Sequence, residues 1–161
     1  MNTEEYNTCI DLHSDKVYRF ILKNIHDKEI AKDIIQDSYE KMWINHKNID
    51  FAKSKTYLFT TAYHTMIDLI RKNNKKEDLN NVEEEIFSQS GQYSDLKEIL
   101  NKAMNFLPED QRAVIMLRDY EGYSYEEIGE ITSLNESQVK VYIYRARMFL
   151  KQYIGKMELV I

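Results

Sequence analysis

The sequence predicts an all-α protein built as two small helical domains joined by an acidic tether, the C-terminal domain ending in two helices linked by a tight turn. Three observations lead there. Only one proline and four glycines interrupt 161 residues, so little stops a helix from propagating. Apolar residues recur at helical spacing in several separate stretches, and they make up 43% of the chain, enough for a real core. Residues 77–100 carry seven acids and one base, and the segments on either side hold the basic clusters.

The elements follow in order. Residues 4–26 place Tyr6, Cys9, Ile10, Val17, Phe20, Ile21 and Ile25 near one helical face. Asp27 is a cap for a second helix whose apolar side is Ile30, Ile34, Ile35, Tyr39, Met42 and Trp43. Residues 46–55 read as a loop. Ser54 is the expected cap of a third helix running to about Lys72, with Leu58, Ala62, Met66, Leu69 and Ile70 inward and Asn73-Asn74-Lys75-Lys76 ending it. The division expected is a domain over 1–76, a flexible acidic linker over 77–95 and a second domain over 96–161. In the second domain a helix resumes near Asp95 with Leu96, Ile99, Leu100, Ala103 and Phe106 inward. Pro108 opens the next, with Glu109 and Asp110 at its positive dipole end. Val114, Leu117 and Tyr120 share a side of it, and Gly122 stops it.

The most informative stretch is 124–150. Ser124 and Glu127 form an S-x-x-E capping box, and Ile128 and Ile131 supply the apolar stripe of a short helix. Thr132-Ser133-Leu134 is a three-residue turn. Asn135 caps a second helix with Gln138 at its third position. In that helix Val139, Ile143, Ala146 and Leu150 face inward, while Ser137, Val141, Tyr144, Arg145 and Met148 face out. Residues 137–156 hold five bases (Lys140, Arg145, Arg147, Lys151, Lys156) and no acid. Cap, turn and basic run together read as a helix-turn-helix whose second helix suits the DNA major groove. An ordinary helical hairpin with a solvated basic face is the plainer alternative.

The net charge of −5 suits a DNA binder only once it is divided: residues 51–76 carry six bases and one acid. Distribution outweighs the total for nucleic-acid contact, although the weak overall charge predicts poor non-specific affinity. The single cysteine, Cys9, excludes an internal disulfide. Residues 1–15 carry four acids and no apolar run, so no secretory signal is expected. No stretch approaches the roughly 20 apolar residues that span a bilayer. A soluble cytoplasmic protein without stable membrane insertion is expected. No glycine-rich phosphate loop and no catalytic constellation stand out, so no enzyme and no cofactor are expected. Cys9 and His13 lie one turn apart, but with no further ligands nearby no metal site is expected.

Both halves resemble one family. Leu107-Pro108, Arg112, the run 122–128 (GYSYEEI), Val139-Lys140 and Arg145-Ala146-Arg147 are similar to region 4 of the extracytoplasmic-function group of bacterial sigma-70 factors. The segment AKDIIQDSYEKMW (31–43) resembles region 2.2, and YLFTTAYHTMIDLIRK (57–72) resembles regions 2.3 and 2.4. The resemblance covers roughly residues 8–152. Departures exist: Tyr57 stands where many members have Trp, His64 where they commonly have Asn, and Ser137-Gln138, Val141-Tyr142 and Thr132-Ser133 replace the frequent Gly-Thr, Ser-Arg and Leu-Gly. The C-terminal motif alone fits other helix-turn-helix families.

The resemblance implies a promoter-recognition factor that recruits core RNA polymerase and assists DNA opening. It implies polymerase binding, to the β′ coiled coil, through Asp33, Gln36, Asp37, Glu40 and Trp43, with Trp43 either an interface anchor or core. A second polymerase contact, at the β flap, and an anti-sigma factor are implied as partners. The −10 element would be met by Phe51, Lys53, Lys55, Arg71, Lys72, Lys75 and Lys76, types that suit a single strand. The −35 element would be met by Lys140, Val141, Tyr144 and Arg145, with Arg118, Tyr125 and Glu126 flanking them. A transcription regulator that works without polymerase, or a helical adaptor protein, are the rival readings. The first has no need of the patterns in 31–43 and 57–72, and the second no need of the acid-free last helix.

Overall fold

A computed structural model describes the backbone of residues 1–77 and 96–160, and the side chains of 1–73 and 96–156. Among the described residues every regular element is helical. Helix α1 spans Thr3–Ile25, α2 Lys28–Ile44, α3 Ser54–Glu77, α4 Leu96–Asn105, α5 Glu109–Asp119, α6 Tyr125–Thr132 and α7 Glu136–Val160. The first three pack on one another, and α4, α5 and α6 gather around α7. The expected linker, 77–95, lies outside the described residues apart from Glu77.

Local chemistry sets most boundaries. Asn2 and Glu5 form a reciprocal capping box on α1, a start signal the sequence reading passed over. Asp27 accepts from the backbone N–H groups of Glu29 and Ile30 at 3.0 and 3.1 Å and so starts α2 as expected. Ser54 does not act as expected. Its backbone is already helical, and its buried hydroxyl donates to the Phe51 carbonyl at 2.7 Å, fastening the end of a short 3-10 turn, Phe51–Lys53, to α3. The expected loop 46–55 thus holds two such turns, His46–Asn48 and Phe51–Lys53. Helix α3 also continues through Asn73–Lys76, because neither Asn nor Lys breaks a helix as Pro or Gly does.

In the C-terminal half, Gly122 takes φ +76, and the amides of Gly122 and Tyr123 close on the Arg118 and Leu117 carbonyls to end α5. The Ser124–Glu127 box and the Asn135–Gln138 pair both form reciprocally. Without a glycine in the turn, Ser133 itself enters the left-handed region at φ 64, ψ 28. Between α6 and the turn a close approach is needed: a Cβ at Gly129 of α6 would lie 2.8 Å from the Leu134 carbonyl oxygen.

Three apolar positions of the C-terminal half depart from expectation. Leu96, expected inward, is 61% exposed at the first residue of α4. Phe106, expected inward, is 65% exposed just past the end of α4 and only leans on Tyr153 at 5.8 Å. Tyr120 is 42% exposed, covered on one face by the Lys23 ammonium at 4.4 Å. The larger surprise is α5. Residues Arg112, Ala113, Val114, Ile115, Met116 and Leu117 are all buried, so the helix has no wet face. It packs on α6 and α7 on one side and on α1 on the other, while α6 lies along α3. The two halves therefore share one continuous core. Phe20, Phe59 and Tyr123 mark the crossing, with edge-on ring contacts at 5.7 and 5.5 Å.

Candidate nucleic-acid interface

Helix α7 carries the residues expected to read DNA. Its inner side is set by Val139, Ile143, Ala146 and Leu150, all buried as their spacing predicts. That burial fixes the outer side: Ser137, Lys140, Val141, Tyr144, Arg145 and Met148 are exposed, with Tyr144 at 65%. Arg145 makes no ion pair among the described residues, so its five donors are free to meet a base edge. Lys140 reaches back to Glu136 at 3.7 Å on the exposed surface, a pair too weak to withhold it from DNA.

Not every base on α7 is available. Arg147 donates to Asp119 at 2.7 Å, clamping α7 to the end of α5, and that hydrogen bond holds its guanidinium pKa up. Arg118 and Tyr125 belong to the same support. The Arg118 guanidinium donates to the Tyr123 carbonyl at 2.9 Å and lies 4.6 Å from the Tyr125 ring centre, with Lys140 5.9 Å from the same ring. Both residues are half-buried, beside the readers rather than among them, while Glu126 is exposed at the helix start.

The N-terminal candidates fall into three places. On α2, Asp33, Gln36 and Glu40 are exposed, and Asp37 is half-buried in a pair with Lys41 at 3.2 Å. Trp43 is 41% exposed, which excludes it from the core. Its ring stacks on His46 at 4.0 Å and meets Tyr6 edge-on at 5.0 Å, and Ile44 beside it is 73% exposed. At the N-terminal end of α3, Phe51 is half-buried, Lys53 is exposed, and Lys55 stands 5.1 Å from the Tyr123 ring centre. At the other end Arg71 and Lys72 are exposed, while Lys75 and Lys76 occupy the last turns with side chains outside the described residues. From Lys55 to Arg71 the helix rises roughly 24 Å, so the two basic groups are not one cluster but the ends of a track.

Two residues missed as site components join the halves. Arg112 is only 8% exposed and Asn24 only 6%. The Arg112 Nε–H donates to Asn24 Oδ1 at 3.0 Å, and its Nη1 group donates to the Leu107 and Asn105 carbonyls at 3.2 and 3.5 Å. Burial pushes the guanidinium pKa down, opposed by Glu109. An arginine leading a six-residue run without another charge was the available signal.

Cys9 is fully buried, and burial pushes its thiol pKa up. Among the described residues no group of three or more His, Cys, Asp and Glu is placed to hold a metal ion, and no helix is long and apolar enough to cross a membrane.

Comparison with known proteins bears on both halves. Residues 9–76 match the family model for sigma-70 region 2, and residues 97–150 that for sigma-70 region 4. The chain is 29% identical over 145 residues to the ECF RNA polymerase sigma factor SigM of Bacillus subtilis, covering 87% of this chain and 89% of the relative. It is also 29% identical over 155 residues to SigV of the same organism, covering 94% and 92%. Among solved structures it resembles the sigma factor RpoE of Bartonella quintana, determined with the anti-sigma factor NepR, at TM-score 0.79 and 24% identity, covering 95% of this chain and 98% of that one. CnrH, determined with the cytosolic domain of CnrY, matches at TM-score 0.71 and 19% identity, covering 96% and 90%. With both sigma-70 regions present in order and relatives of the ECF type matching along most of its length, the chain belongs to the extracytoplasmic-function group of sigma-70 factors, the subunits that direct RNA polymerase to promoters.

Proposed function

We propose that this chain recruits core RNA polymerase to two-part promoters and helps open the DNA, performing no covalent chemistry of its own, in the cytoplasm. Residues 1–76 serve polymerase and the −10 element, 96–161 serve the −35 element, and 77–95 connect them. In this reading Lys140, Val141, Tyr144 and Arg145 meet base edges. Arg118, Tyr125 and Glu126 position them through backbone contacts and mutual support. Phe51, Lys53 and Lys55 receive the unpaired −10 strand, and Arg71, Lys72, Lys75 and Lys76 neutralise its phosphates. Asp33, Gln36, Asp37, Glu40 and Trp43 form the contact for the β′ coiled coil, with Trp43 as the anchor. The β flap is the second polymerase contact, made by the C-terminal half. An anti-sigma factor is the expected antagonist, by analogy with the partners of the two structural relatives.

The observation that carries this reading is the open outer side of α7: Val141, Tyr144 and Met148 stand exposed with no helix among the described residues covering them, flanked by bases. Large apolar side chains kept in water beside Arg145 and Lys140 suit a groove lined by thymine methyls and guanine acceptors. Run-off transcription with purified core polymerase on fragmented genomic DNA tests it. Discrete transcripts that require the chain support the assignment. Core polymerase that neither binds the chain nor gains any start site removes it.

A further inference from the structure

We propose that Asp119 and Arg147, neither of them a DNA contact, form a positioning pair: they fix the pose of α7 and, through Tyr125, the place of Lys140, and so help set which bases the chain prefers. The proposal rests on the assignment of Lys140, Val141, Tyr144 and Arg145 to base edges.

Arg147 belongs to the acid-free stretch 137–156, and its charge alone would suit a phosphate. Its direction does not. It follows Arg145 by two positions, about 200° round the helix, so the two guanidinium groups leave opposite sides of α7. Arg145 makes no ion pair among the described residues, whereas Arg147 Nη2 donates to Asp119 Oδ1 at 2.7 Å, on the last residue of α5. Lys140 precedes Arg147 by seven positions and therefore shares its side of α7, roughly 10 Å away along the axis. Tyr125, the first residue of α6, stands between them. Its ring centre is 5.9 Å from the Lys140 ammonium and 4.6 Å from the Arg118 guanidinium, and its hydroxyl is close enough to bond Arg147. Two adjacent residues at the end of α5 thus hold two helices at once. Arg118 takes the start of α6, through the Tyr125 ring and the Tyr123 carbonyl at 2.9 Å, and Asp119 takes α7.

Stability is a poor reason for this pair. The Arg147 and Asp119 side chains are 49% and 42% exposed, and an ion pair that wet contributes little to folding. Asp119 also sits at the negative end of the α5 dipole, where a carboxylate is disfavoured. What the pair supplies is direction. A short charge-assisted bond tolerates little change of geometry. Helix α5, buried along Arg112–Leu117, is a rigid mount for it. A reading helix free to roll about its buried seam would keep its phosphate contacts yet carry Lys140 off a base edge, so the loss would fall on preference rather than on affinity.

The test uses the full chain and three variants: Asp119→Ala, Arg147→Ala, and the exchange of Asp119→Arg with Arg147→Asp. Each is put through selection from a randomised duplex library, and affinity for the duplex chosen by the wild type is followed against salt. Both alanine variants should lose discrimination at the same base pair by roughly five- to tenfold, the lower end of what one base contact carries. For Arg147→Ala the slope of log affinity against log salt should keep its wild-type value, whereas loss of a phosphate contact would lower it by about 0.9. The exchange should recover the preference, which an arginine serving a phosphate could not do with aspartate in its place. A lowered slope, alanine variants that select as the wild type does, or an exchange that recovers nothing overturns the positioning role; a clear wild-type preference then leaves the base-reading assignment standing. A wild type that selects no sequence overturns that assignment and the positioning role with it. Melting by circular dichroism identifies an alanine variant that fails to fold, and the other alanine variant and the exchange then decide.

Discussion

Replacing Gly129 by alanine adds one methyl group at the tightest point of the helix-turn-helix. The new Cβ would stand 2.8 Å from the Leu134 carbonyl oxygen and 4.0 Å from Val139 Cγ2. An ordinary contact needs roughly half an ångström more, and the obstructing atom is backbone, which cannot rotate aside. Leu134 immediately precedes Asn135, whose side chain caps α7, so the displacement passes to the start of the reading helix. Two effects oppose each other. Alanine gains about 1 kcal/mol over glycine inside a helix, and overpacking costs about 1–3 kcal/mol. The net is a loss of about 0–2 kcal/mol, or a melting temperature lower by up to about 8 °C at about 2–4 °C per kcal/mol for a chain of this size. Gly155→Ala is the control, because a Cβ there meets nothing within 4 Å, and it should stabilise. Calorimetry on both variants, with promoter-duplex binding, checks the signs. If Gly129→Ala melts higher, as Gly155→Ala should, and binds DNA normally, the turn is not packed as described.

Four further outcomes are expected. Arg145→Ala should cost roughly 1–3 kcal/mol in −35 binding and relax base preference at one position, whereas Arg118→Ala should weaken all sequences alike; selection from a randomised duplex library distinguishes them. Ser133→Gly should stabilise by about 1 kcal/mol by relieving the left-handed serine, read by urea denaturation. The double change Asp37→Lys and Trp43→Ala should release core polymerase in co-purification without loss of helicity. His13, whose Nδ1 is buried without a hydrogen-bond partner, has its pKa lowered from 6.5 by burial, then by Lys55 and Lys16. The fold therefore favours its neutral form: this contribution is complete above about 6.5 and is lost as the pH falls through the lowered value. His13→Leu should flatten the acid limb of a stability–pH curve, and an unchanged slope would clear His13 of the effect.

Capping and periodicity make the helix-turn-helix legible in the sequence alone, because Ser124, Glu127, Asn135 and Gln138 act on neighbours three residues away and need no tertiary context. The four inward positions of α7 were readable for the same reason. Ser54 misled because a hydroxyl can donate backward as well as accept forward, and the backbone of the preceding turn decides which. Tyr120 misled because α5 is buried on every side, and a helix enclosed by both halves has no single apolar stripe to read. The joint between the halves was least legible. Asn24 and Arg112 are 88 positions apart, and no local pattern relates a lone amide on one helix to a lone guanidinium on another. Of the candidate residues, those on α7 and all of those on α2 but the half-buried Asp37 stand exposed, while Lys55 is turned toward Tyr123 and the basic groups on α3 form two ends rather than a patch.

The indole at position 43 is the only one among 161 residues, and it stands half in water on the face of α2, against one imidazole and one phenol ring. The molecule thus carries its own optical reporter at a single address. Red-edge excitation, which bypasses the twelve tyrosines, sees α2 and nothing else. A partner seated there would dry the ring and shift its emission to the blue, whereas duplex held by α7 would leave the spectrum unmoved. Unlabelled protein in a cuvette can therefore tell which of its surfaces is occupied, and in what order.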